Sequence, residues 1–340
     1  MRNIKNLIYK SMFLMLTIFI FACDSDSDDD GSSLITPPET YEFTRNNTTS
    51  VSFSGQTTRL NQADELYGAL NTAETDEASL MLMFGGSDGT SAGFSNPDLN
   101  GTSKIIRSKT AASTLSGSAT TKARFDAMIT DFAHSVVPNF NGDAMQGVAG
   151  AMTTLDGSST YQFNAMGQEI DQTFFKGLIG AFTLDQIVNN YIHPNQLDSG
   201  TRIDDNDNDV LSGDNNYTDM EHKWDEGFGY LYGQEPDISV SGSTPGAVNG
   251  NLLMKYFEKV NDNYEPGIAQ VVYDAFIMGR TAIVNKDYSL RDQQADIIQV
   301  ELSKVIGYYS IHYLNDYLSK MQSGNIAGAF HALSEAHGFI

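Results

Sequence analysis

Basic residues are scarce. Twenty Lys+Arg stand against 43 Asp+Glu, a net charge of −23. Affinity for nucleic acid rests on basic groups against phosphate, so that class of partner is excluded. Cysteine occurs once, which excludes a disulfide framework. Tryptophan also occurs once, which argues against a surface built for stacking sugars, although 16 tyrosines soften the point. The chain has no His-Glu-x-x-His for a zinc peptidase and no Gly-x-Ser-x-Gly nucleophile elbow. Gly85-Gly86-Ser87-Asp88-Gly89 lacks the lysine of a phosphate loop. Carboxylates are too abundant for one pair to stand out as a glycosidase dyad. What is present is enough apolar residue for a core: 40% hydrophobic and 11% aromatic over 340 residues. Global disorder is excluded, and one large domain or two modest ones are expected.

Residues 1–22 read as an address. Arg2, Lys5 and Lys10 precede an apolar run from Met12 to Ala22. Eleven residues fall short of the roughly 20 that span a bilayer as a helix, and they suit a secretory signal. The run ends in Ile20-Phe21-Ala22-Cys23, similar to a lipobox, in which the cysteine is diacylated and becomes the mature N-terminus. The sole cysteine stands at the one position where such a signal needs it. Cleavage leaves 17 basic against 43 acidic residues, a net charge of −26. Two acyl chains anchor a protein stably where one does not. Asp24 to Ser33 is rich in Asp, Ser and Gly and reads, to about residue 40, as a solvated tether. It also resembles the acidic export signal that carries lipoproteins to the outer face of the outer membrane. The expected location is therefore the outer membrane, lipid-anchored through Cys23, with the cell surface favoured over the periplasmic face.

The remainder, residues 41–340, reads as mainly α: roughly eight helices in one antiparallel bundle or in two packed bundles with halves about 41–215 and 216–340. A small N-terminal hairpin is predicted, with Tyr41-Glu42-Phe43 and Val51-Ser52-Phe53 around Asn46-Asn47, and no other strand pair. Helical stripes begin at Thr58 and at Ala78. Phe125, Met128, Ile129, Phe132 and Val136 form another stripe, ended by Pro138. A broader one runs from Ile170 to about Ile192, before His193-Pro194. Residues 195–215 are polar and acidic, and 233–250 read as a loop. Further helices are predicted around His222, over Leu252 to Val260, from Ile268 to Ile283, from Ile298 to Tyr313 and from Asn325 to Ile340.

The densest chemical constellation lies around His222. On a helix His222 meets Asp225 at i+3 and Glu226 at i+4, and Glu221 is close by. One imidazole with carboxylates offers N and O ligands to a divalent metal or iron, against the plainer reading of a surface ion pair with Trp224 as a core anchor. A second candidate is Asp205, Asp207 and Asp209, which alternate as in the first half of a calcium loop. Val210 and Asn216 stand where an EF-hand needs Gly and Glu, so a looser calcium site and a solvated acidic loop are the alternatives. His312 lies on an apolar stripe and reads as structural. His331 and Glu335, at i and i+4, read as a helix-surface pair.

Several stretches resemble one lipoprotein family, catalogued as the domain of unknown function DUF4856. They are Tyr41 to Arg45, Val51 to Leu60, Glu221 to Tyr230 and Phe330 to Ile340. The family carries no assigned activity. A more distant likeness is to the imelysin-like helical proteins tied to metal uptake, whose marker is Gly-x-His-x-x-Glu. Here Met220 replaces the Gly, Asp225 holds the carboxylate position, and Glu226 falls one residue later. What the likeness implies is a non-enzymatic metal-acquisition protein beside an outer-membrane receptor, with His222, Asp225 and Glu226 as ligands and Glu221 behind them. A surface adhesion or assembly module, with calcium-ordered 204–209 as a structural staple, is the alternative. A metal-dependent hydrolase is the weaker one.

Overall fold

The computed structural model describes residues 35–111, 116–236, 238 and 250–340. The expected signal, Cys23 and most of the acidic tether lie outside the described residues, as does most of the 233–250 loop.

The chain opens with a hairpin, β1 (Thr44–Arg45) against β2 (Thr48–Thr49). Asn46 and Asn47 both adopt positive φ, 53° and 62°, the backbone that a tight two-residue hairpin turn demands and that Asn tolerates. The turn is where the sequence puts it. The strands are shorter than expected, because Tyr41 and Ser52 are drawn off by tertiary hydrogen bonds described below.

Helices follow: α1 (Ser54–Ala69), α2 (Glu77–Gly85), α3 (Ile106–Lys109) and α4 (Ser118–Asp131). α1 starts one turn before Thr58. α2 is capped by the Asp76 carboxylate, which accepts the Ser79 amide at 2.8 Å. α4 runs on into a π-helical stretch, Phe132–Val136, and the Pro138 turn ends it. A second hairpin, β3 (Gly150–Thr153) with β4 (Thr160–Phe163), pairs Thr153 with Thr160 and Gly150 with Phe163. The sequence reading missed it. Its strands are only four residues long, but Asp156-Gly157, with Gly157 at φ 73°, is a hairpin signal that was there to read.

α5 (Ile170–Leu178) continues as π-helix over Ile179–Leu184 and Gln186–Tyr191, so the helix runs to the expected stop at His193-Pro194. Short α6 (Pro194–Leu197) and α7 (Arg202–Asp207) lead to α8 (Asp219–Tyr232). The last four are α9 (Leu252–Asn263), α10 (Ile268–Val284), α11 (Tyr288–Gln322) and α12 (Ile326–Phe339). Twelve α-helices and two small antiparallel hairpins among the described residues make the fold mainly α, as expected. The count exceeds eight because α3, α6 and α7 are too short to show a periodic stripe.

α11 packs between α10 and α12, α12 lies on α5, and α8 rests on the π-helical end of α5. The two sequence halves are thereby interleaved, and residues 35–340 form a single compact unit. At the centre lies Trp224, fully buried, its indole N–H donating to the Phe276 carbonyl at 2.9 Å. Gly279 makes room for it: a Cβ there would stand 2.0 Å from Trp224 Cζ2. No helix among the described residues is long and apolar enough to cross a membrane.

Candidate functional site

α8 begins with a capping box. Thr218 Oγ1 accepts the Glu221 amide, and the Glu221 carboxylate accepts the Thr218 amide at 2.7 Å. The same carboxylate binds Arg45 at 2.7 Å and Arg280 at 2.8 Å. One turn on, Asp225 accepts Arg280 Nε at 3.0 Å, Tyr41 Oη at 2.7 Å and the Ser52 amide at 3.1 Å. Arg280 and Asp225 are fully buried, and the guanidinium also lies 4.9 Å from the Phe43 ring centre. Burial pushes the Asp225 carboxyl up to about 6, against the pull of Arg280 and Tyr41. Glu221 is held below its ordinary value, because Arg280 and Arg45 outweigh the cost of burial.

This divides the four expected metal ligands. Glu221 and Asp225 face inward and are the counter-ions of arginine, with their oxygens already engaged. His222 and Glu226 lie on the other side, with 4.0 Å between Nε2 and Oε1. His222 stacks on Tyr217, and burial lowers its pKa, which leaves a neutral imidazole near pH 7. Glu226 accepts Lys223 at 2.7 Å and Gln56 at 3.0 Å. The arginines that recruit Glu221 and Asp225 come from residues 45 and 280, far from α8 in sequence.

The calcium candidates separate too. Residues 202–207 are helical, and successive alternate residues of a helix point about 200° apart, so the oxygens do not converge as they do in a loop. Asp205 accepts Thr201 Oγ1 at 2.6 Å, Asp207 accepts Tyr288 Oη at 2.5 Å, and Asp209 pairs with Lys286 at 3.4 Å. Between them Asn206 is buried and binds the Ile283 carbonyl and Thr218 Oγ1, so the segment docks α7 onto α8 and α10.

A third cluster was not assembled by the sequence reading. Glu169, Asp171, Gln172 and Lys176 line the start of α5, and α12 brings His331 and Glu335 against them. Gly338 permits the approach: a Cβ there would lie 2.5 Å from Lys176 Cβ. His331 is clasped by two carboxylates, Nδ1 to Glu169 at 2.6 Å and Nε2 to Glu335 at 3.2 Å, and its ring stacks on Tyr161 with centroids 4.1 Å apart. Lys176 reaches Glu335 at 3.3 Å and donates to Gln172 Oε1 at 2.9 Å. Gln172 in turn donates to Asp171 Oδ2 at 2.8 Å. The expected surface pair His331–Glu335 is thus part of a buried network.

The electrostatics follow from burial. Burial disfavours the His331 imidazolium, but the hydrogen bonds to Glu169 and Glu335 outweigh it and lift the pKa to about 9. Lys176 is raised, because Tyr256 and Glu335 more than offset its burial. Asp171 goes the other way: burial, then the neighbouring Glu169, push it up to about 7. Its hydrogen-bond partners are the side-chain and backbone amides of Gln172, and Lys176 acts on it from a distance. Glu169 and Asp171 line an open cleft of about 470 Å³ with Asn71, Tyr161, Gln162 and Gln172. A buried carboxyl next to a second one, at the wall of a polar cleft, is chemistry suited to a positively charged group. Among the described residues no three His, Cys, Asp or Glu side chains are grouped to hold a metal ion.

The domain of unknown function DUF4856 matches residues 38–340. The chain belongs to that family. No curated protein and no solved structure matches it. The family match spans the hairpin, α8 and α12, so the α8 arginine network and the α5–α12 cluster both lie inside the DUF4856 domain. It says nothing of the imelysin-like group.

Proposed function

We propose that this DUF4856 protein is a lipid-anchored, non-enzymatic capture protein of the outer membrane, displayed at the cell surface, and that its ligand is a cation received in the Glu169–Asp171 cleft. A single observation carries the ligand class. Asp171 is 5% exposed and hydrogen-bonded only to Gln172 amides in the described structure, yet it lines a cleft open to solvent. A buried carboxylate is costly until a positive charge meets it, so a cation that reaches Asp171 from the cleft is stabilised there. The lipobox at Ile20 to Cys23 and the acidic run after it support the anchored location. Iron or another hydrated metal ion taken up beside an outer-membrane receptor suits the imelysin-like resemblance. An organic ammonium or guanidinium group has the same chemistry.

The test is calorimetry on residues 35–340 at about pH 8 with iron, zinc, calcium and methylammonium, each against Asp171→Asn and His222→Ala. The expected result is one cation class whose affinity falls at least ~10-fold in Asp171→Asn, about 1.4 kcal/mol, and is unchanged in His222→Ala. No binding of any cation, or binding indifferent to Asp171→Asn, overturns the assignment. Loss in His222→Ala returns the metal to α8. Loss of calcium binding in Asp207→Ala favours the adhesion or assembly reading.

A further inference from the structure

α11 is 35 residues long and is apolar on two faces. One face is buried and holds Ala295, Ile298, Leu302, Val305, Tyr309 and Tyr313. The other faces solvent. Ile297, Val300, Ile311, Leu314, Leu318 and Met321 are all exposed, with Ile311 62%, Val300 57% and Leu318 54% accessible. With Lys304 and Gly307 these positions run 297, 300, 304, 307, 311, 314, 318, 321. That spacing alternates three and four without a break, the a/d seam of a coiled coil. It extends over about 3.5 heptads, or ~37 Å of helix.

We propose that this seam is the interface through which two copies of the chain pair, α11 against α11, antiparallel about a two-fold axis near residue 309. The seam is self-complementary in that direction only. Antiparallel pairing sets Ile297 against Met321, Val300 against Leu318, Lys304 against Leu314 and Gly307 against Ile311. Each layer then joins an a position to a d position of the other copy. The Gly307 notch receives the Ile311 side chain, and the methylene stem of Lys304 lies along Leu314 while its ammonium reaches the rim. Parallel pairing instead stacks Lys304 on Lys304 and leaves two glycines facing each other across a void.

Charge selects the same occupant. A chain with 43 acidic residues against 20 basic ones repels its own copies everywhere except on a neutral face. The seam carries one charged residue, Lys304, already paired with Glu265 at 2.6 Å and Glu301 at 2.7 Å. Asp316, beside the seam, is paired with Lys320 at 2.7 Å. A membrane surface is a poorer match, because a flat partner has no use for heptad spacing and the face offers no excess positive charge. The pairing is isologous, so it closes at two copies and does not propagate.

Residues 35–340, which form a compact unit and contain no cysteine, serve for the test. Sedimentation equilibrium at tens of micromolar is expected to give twice the chain mass. Ile311→Glu with Leu318→Glu is expected to halve it while far-UV dichroism stays unchanged. Under oxidation, Val300→Cys with Leu318→Cys is expected to form disulfide-linked dimers, whereas Val300→Cys alone is not. The two cysteines of one copy are 18 residues apart on a straight helix and cannot reach each other. A wild-type monomer at these concentrations overturns the proposal. A disulfide from Val300→Cys alone overturns the antiparallel register. A monomer that binds neutral phospholipid vesicles, and loses them on Ile311→Glu with Leu318→Glu, assigns the face to a lipid surface instead.

Discussion

Arg280 lies where no solvent reaches it, with Glu221 and Asp225 on its guanidinium; Tyr41 shares the Asp225 oxygen that Arg280 binds, and the Ser52 amide takes the other. Removing one partner of a buried ion pair is far more harmful than never having had it, because the charge left behind stays desolvated. Arg280→Ala leaves two carboxylates, Asp225 fully buried, with only Arg45 and neutral donors. The expected loss is about 3–5 kcal/mol in urea unfolding followed by Trp224 fluorescence. A loss under about 1 kcal/mol would show the network to be solvated in solution. The same residues explain why the α8 constellation reads as a metal site in sequence. Spacing puts Glu221, His222, Asp225 and Glu226 on one helix, but it is silent about an arginine 55 positions later that claims two of them.

Among the elements, α8 and α10 are joined through one glycine. Alanine normally favours a helix over glycine by roughly 0.5–1 kcal/mol. At Gly279 the added methyl would fall 2.0 Å from the indole of Trp224, itself locked by its bond to Phe276. Gly279→Ala is therefore expected to destabilise by about 1–3 kcal/mol despite its better helix propensity. An unchanged or raised unfolding midpoint would mean that α8 and α10 slide apart at little cost. Most elements were legible in sequence: the Asn46-Asn47 turn, the stop at His193-Pro194, and the stripes of α4, α5, α10 and α11. The elements that escaped were short or set by distant partners. β3 and β4 have four residues each, and the early start of α1 follows the Ser52 amide, which is held by Asp225.

For the whole molecule, stability should fall as pH rises from about 5 to about 9, in two stages. Asp171 has a folded pKa of about 7 against an ordinary 3.8, so folding disfavours its ionised form. That cost is absent below about 4 and complete above about 7. His331, at about 9 against 6.5, contributes stability that is full below 6.5 and lost as pH passes through 9. Urea midpoints at about pH 5, 7 and 9 should decline throughout. Asp171→Asn should make the lower stage shallower, leaving the part that Asp225 carries with its folded value of about 6, and should leave the upper one, which His331 carries. A flat profile in the wild type would mean that the cluster is hydrated in solution. The sequence by itself determined the helical class, the family, the places of the turns and the signal-like start, because periodicity, breakers and composition act within a few residues. Only the tertiary structure decided which charges meet. Arg280 took Glu221 and Asp225 from the expected metal site, and α12 carried His331 and Glu335 to Glu169 and Lys176. Such pairings depend on how helices 55 to 162 residues apart pack together, and local spacing carries no information at that range.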